Sequence, residues 1–99
     1  ITGSKAVVIL ASKDLPRLRG LYFSHNCGGN NGVAILSLNK SWIGLQTLSL
    51  QDCEIGDSGT DFLRRNKSWM NLEFLILQKN NISRNSIHKL NIKTEIRRA

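Results

Sequence analysis

Apolar positions along this chain alternate in short bursts, and the bursts return at a fixed interval. Leu45, Leu48, Leu50 and Cys53 become Leu72, Leu75, Leu77 and Asn80 after a shift of 27, and Leu18, Leu21, Phe23 and Asn26 after a shift of 27 back. The tetrapeptide Asn39–Trp42 (NKSW) recurs letter for letter at Asn66–Trp69. Two apolar residues separated by one other residue point to the same side of a strand, and the residue between them points to the other. Leu21 with Phe23, Leu48 with Leu50 and Leu75 with Leu77 therefore predict three short strands sharing one buried face. Each buried side chain contributes about 1.5–3 kcal/mol, but one burst cannot enclose its own apolar side, so the units must stack.

Between the strands the pattern changes to that of a helix. Ser58, Gly59, Thr60 and Asp61 have the S-x-x-D form of an N-terminal capping box. Phe62 and Leu63 follow as inward residues, and Arg64, Arg65 and Lys67 gather at the far end, where positive charge suits the helix dipole. Their counterparts are Ile35 and Leu36 one unit back and Leu90 one unit on; Lys89 replaces the apolar residue expected beside Leu90. Trp42 and Trp69 are placed to pack between a helix end and the next strand. Ala6–Ala11 (AVVILA) has the β-branched content of a strand. Shifting Leu36 and Trp42 back by 27 lands on Ile9 and Leu15, which instead makes this run a helix with Ile9 inward. Pro16 falls in the connection, where a missing amide costs little.

The spacing L-x-x-L-x-L-x-x-N/C is the signature of leucine-rich repeats. From about Ala6 to Ile96 the chain resembles that family. It is most similar to the longer repeats with an outer helix, as in ribonuclease inhibitor and the sensor domains of NOD-like receptors. The resemblance implies an α/β solenoid with short parallel strands on the concave face and helices on the convex face. About three to three and a half repeats are implied: a partial one at 6–17, then 18–44, 45–71 and 72–99, after an unpatterned segment 1–5. It also implies that the column Asn26, Cys53 and Asn80 points inward and satisfies turn backbone groups. In this register Ile96 falls in the tryptophan column and the chain closes at Ala99, where the next strand's leucine is due. Solenoids need polar capping units and none is visible. A piece of a longer solenoid is therefore expected, its ends covered by further repeats or a neighbouring subunit.

Composition narrows the functional classes. The formal net charge is +7, which suits an anionic partner such as nucleic acid or an acidic surface. Solvated helix ends account for Arg64, Arg65 and Lys67 without any ligand. The tail Lys93, Arg97 and Arg98 adds a second set of candidates for an anionic partner. Two cysteines are too few for a secreted disulfide scaffold. Cys53 and Cys27 lie one position out of register, so an intracellular, reduced protein is expected. Three N-x-S sequons stand at Asn39, Asn66 and Asn81; two of them are the repeated NKSW, the by-product of an Asn-rich unit. Nothing approaches the 18 or more apolar residues of a membrane span.

No spacing points to catalysis. His25 and His88 fall on different surfaces, the cysteines fall in separate units, and the Gly28–Gly32 stretch lacks the lysine of a phosphate loop. No metal, cofactor or catalytic residue is therefore assigned. Asp52 and His25 share a column in adjacent units, where a surface ion pair is expected. What remains is the outward side of the strands. Tyr22, Ser24, Ser49, Gln51, Phe74, Ile76 and Gln78, with His25, Asp52 and Lys79 on the rim, are the expected contacts of a protein partner. Tyr22, Phe74 and Ile76 are its apolar anchors. The alternative is a structural component of a large assembly, a ribonucleoprotein or ciliary complex, held through its basic helix ends and tail.

Overall fold

A computed structural model describes residues 3–25, 28–90 and 95–97. Helices and strands alternate: α1 (Gly3–Ala11), β1 (Gly20–Ser24), α2 (Gly29–Leu36), β2 (Thr47–Gln51), α3 (Asp57–Arg65), β3 (Phe74–Ile76), α4 (Arg84–Lys89) and β4 (Glu95–Arg97). The strands form one open parallel sheet in chain order. Leu21 pairs with Leu48, and Leu48 with Leu75, so the interval read in the sequence is the pairing register. Each helix packs on the next in the same order.

The core fills the space between the sheet and the helix row. Leu48, Leu50, Leu75 and Leu77 enter it from the strands; Val33, Leu36, Leu63 and Leu90 enter from the helices or their ends. Leu21 and Phe23, on the edge strand, are half-buried against it. Trp42 and Trp69 are buried and stack on one another, with centroids 6.1 Å apart and planes 15° from parallel.

Conserving this register at the strand ends demands an unusual backbone. His25, Asp52 and Lys79 all take positive φ (74°, 54° and 60°), so each turns the chain out of its strand in the left-handed region. Their neighbours absorb the freed polar groups. Asn80 Oδ1 accepts from the backbone N–H of Cys53 and of Ile55 (both 2.9 Å), and its Nδ2 donates to Leu50 O at 2.7 Å. Cys53 is buried. Asn26 and Cys27 lie outside the described residues.

Asn39 and Asn66 do equivalent work at the helix C-termini. Asn39 Nδ2 donates to the carbonyls of Ala11 (2.9 Å) and Lys13 (3.0 Å), while its Oδ1 accepts from Ser41 and Trp42. Asn66 Nδ2 donates to Ser37 and Asn39 carbonyls, and its Oδ1 accepts from Ser68 and Trp69. The NKSW tetrapeptide is thus a clasp that ties each segment to the carbonyls of the preceding one.

Three expectations are corrected. In α1, Val7 is fully buried and Leu10 packs on the core, whereas Ile9 is 43% exposed. Val7 and Leu10 match Val33 and Leu36 at an offset of 26, not 27, because the intervening loop is one residue shorter. The Ser58 capping box does not form. Helix α3 begins at Asp57, and Asn30 Oδ1, from the first turn of α2, accepts from the N–H of Gly56 (2.8 Å) and Gly59 (3.0 Å). Ile96 does not occupy the tryptophan column. It pairs with Leu75 in β4, 21 residues on rather than 27, so this strand arrives six residues early. No helix among the described residues is long and apolar enough to cross a membrane.

Candidate functional site on the outward strand face

Parallel pairing sorts the outward residues into rows. Gly20, Thr47 and Phe74 form one row, and Tyr22, Ser49 and Ile76 the next, with neighbours at the strand spacing of about 4.8 Å. Ser24 pairs with Gln51, and Gln78 extends that level, its carbonyl accepting from Asp52 N at 2.9 Å. Beyond it lie His25, Asp52 and Lys79. The sheet therefore brings the predicted contact residues onto one surface.

Their exposures differ in a way the pattern alone did not show. Tyr22 is 69% exposed, its ring lying over Gly20, where an added Cβ would meet ring carbon Cε2 at 2.9 Å. Phe74 and Ile76 are half-buried. Ser49, expected as a contact, is only 7% exposed. Its short side chain sits between the larger Tyr22 and Ile76 of the neighbouring strands, and a partner would meet those first.

On the rim His25 Nδ1 lies 2.6 Å from Asp52 Oδ2, both side chains open to solvent. The shared left-handed turn aims them at each other across adjacent strands. Among the described residues no group of three His, Cys, Asp or Glu side chains can hold a metal ion.

The basic candidates separate. Arg64 and Arg65 both bond Asp61, the latter at 2.8 Å from Nη2 to Oδ2. The Arg64 side chain holds the Asp61 carboxyl below the usual carboxylate range. Lys67 is exposed. Lys93 and Arg98 lie outside the described residues, and Arg97 is placed only through its backbone pairing with Ile76.

Sequence reasoning overlooked two features. Ile43 (54% exposed) and Met70 (84% exposed) lie 27 apart, each directly after a tryptophan, at equivalent positions of successive units. Their spacing was the available signal. Asn30 and Asp57 are also 27 apart; Asp57 Oδ1 accepts from Ser83 N at 2.8 Å, just as Asn30 serves α3. That backbone bond holds the Asp57 carboxyl below its ordinary value. No known protein family matches the chain, and no curated protein matches it.

Proposed function

We propose that the chain is a leucine-rich-repeat module of the outer-helix kind, non-catalytic and intracellular, that binds a protein partner across its strand face. The observation that carries this reading is the row Tyr22, Ser49 and Ile76 with Phe74 beside it. A broad aromatic ring stands 69% exposed on the sheet, one strand removed from the half-buried Phe74 and Ile76. Apolar anchors surrounded by polar contacts are the arrangement that concentrates binding energy in protein interfaces. The basic alternative has weaker support, since Arg64 and Arg65 already share the Asp61 carboxylate.

Tyr22→Lys tests the reading, because an exposed side chain is replaced without opening the core. Proteins retained by the wild-type chain should be lost by the variant while far-ultraviolet circular dichroism stays unchanged. Retention of the same proteins by both forms would sink the proposal. If the retained partners instead leave steeply as salt rises from about 50 to 200 mM, the contacts are phosphate-like and the basic surfaces carry them.

A further inference from the structure

Strands that run parallel and in chain order put every helix-to-strand connection on one edge of the molecule and every strand-to-helix connection on the other. The two edges differ in chemistry. On the first, the exposed cations Lys13, Arg17, Arg19, Lys40 and Lys67 stand against Asp14 and Glu73. On the second, among the described residues, Asp52 and Glu54 stand against Lys79, with His25 bonded to Asp52. Hydrocarbon is divided as unevenly. Of the seven large apolar side chains that stand exposed among the described residues, Leu15, Leu38, Ile43 and Met70 lie on the basic edge and none on the opposite one.

Hydrogen bonds set these residues in rows. Asn39 Nδ2 donates to Lys13 O, Asn66 Nδ2 to Asn39 O and Asn71 Nδ2 to Ile43 O. Lys13, Lys40 and Lys67 therefore follow one another from unit to unit, and Met70 follows Ile43. Leu38, 76% exposed, borders one open depression with Lys13 and Lys40. Among the described residues no cation of this edge forms an ion pair. The helix-end carbonyls are already taken by the Asn39 and Asn66 amides, so the lysines are not spent on them.

From this arrangement we infer that the basic edge docks on the surface of an anionic phospholipid bilayer. The lysines and arginines meet the negative headgroups, and Leu38, Ile43 and Met70 enter the boundary between headgroups and acyl chains. A protein interface gathers its apolar groups into one desolvated centre. Here each connection carries its own, set among cations along the chain: Leu15 between Lys13 and Arg17, Leu38 and Ile43 on either side of Lys40, Met70 after Lys67. Single-stranded nucleic acid needs rings on which to stack, and the rings of this edge, Trp42 and Trp69, are buried. The edge is separate from the outward strand face, and its fate does not depend on that reading.

The test sediments the purified chain with vesicles of phosphatidylcholine, with and without phosphatidylserine. The chain should partition onto the vesicles that contain phosphatidylserine and stay in solution with phosphatidylcholine alone. Two double variants, Lys40→Glu with Lys67→Glu and Leu38→Ser with Met70→Ser, should each partition about tenfold more weakly. All four side chains are exposed, and an unchanged far-ultraviolet circular dichroism spectrum shows that the fold survives. Absence of partitioning, or equal partitioning of the charge-reversed variant, would overturn the inference. Full binding by the serine variant would defeat it as well, because the contact would then be electrostatic alone. Tighter binding of a DNA duplex than of the vesicles would assign the edge to nucleic acid and end the proposal.

Discussion

Asn80 engages both ends of its amide, accepting from Cys53 and Ile55 and donating to Leu50 O. Replacing it with alanine leaves several half-buried backbone groups without partners, at about 1–3 kcal/mol each. Asn80→Ala should therefore lower stability by about 3 kcal/mol in urea unfolding, because water reaches part of the site; a loss under about 0.5 kcal/mol would show that water replaces the side chain completely. Asn39 is 6% exposed with its Nδ2 facing two carbonyls. Passed through a secretory pathway, the folded chain should carry no glycan at Asn39 even though the sequon is intact, and mass spectrometry of that peptide decides it. Such roles were partly legible. The Asn80 column could be read because an amide beside a turn is a recognisable solution. The positive φ of Lys79 could not be read, since lysine has no preference for that region and only its neighbours in register impose it.

At the scale of elements, α3 shows a helix start that local rules miss. Its cap comes from Asn30, 26 residues before Gly56 and 29 before Gly59, and a capping box spans only four positions. Ser58 in the S-x-x-D string was thus a false start. The same contact explains Gly59, a glycine inside a helix. A Cβ there would lie 2.5 Å from Asn30 Oδ1 and 2.7 Å from Ile55 Cγ2. Helix propensity favours alanine over glycine by about 1 kcal/mol, yet Gly59→Ala should destabilise by about 1–3 kcal/mol because the cap is displaced. A gain in midpoint on chemical unfolding would show that propensity wins. Asp57 carries the equivalent bond to Ser83, which holds its carboxyl below the ordinary aspartate value. Its unfolded form thus binds the proton more readily. Its stabilising share is fully present above the unfolded value and fades as pH falls through the lower, folded one. Asp57→Asn should be less stable than wild type at neutral pH, with the gap closing below about pH 4; a gap constant across that window would refute the role.

For the whole molecule, the strand register and the core were legible because inward residues repeat with the backbone. Two departures had the opposite cause. The interval was carried one unit too far in each direction, where a loop one residue shorter brings Val7 inward in place of Ile9, and a shortened connection brings Ile96 into the sheet. Apolar identity alone cannot report such a slip, since Val7, Ile9 and Leu10 are all apolar. The outward face was legible as a surface but not in relief, because the burial of Ser49 depends on the size of its neighbours in other strands. Strand β2 is bonded on both sides and buried along Leu48–Leu50. Its amides should exchange with solvent most slowly; faster exchange in β2 than in β1 would contradict the sheet order.

The clasps at the two ends of the helices also run in opposite directions along the chain. Asn39 and Asn66 reach back to carbonyls already synthesised, whereas Asn30 and Asp57 hold out acceptors for amides still to come. On a ribosome, each emerging segment would therefore find half of its attachment waiting and would carry the other half itself. Assembly could proceed in order from the first helix, with no segment having to wait for the end of translation to find its place.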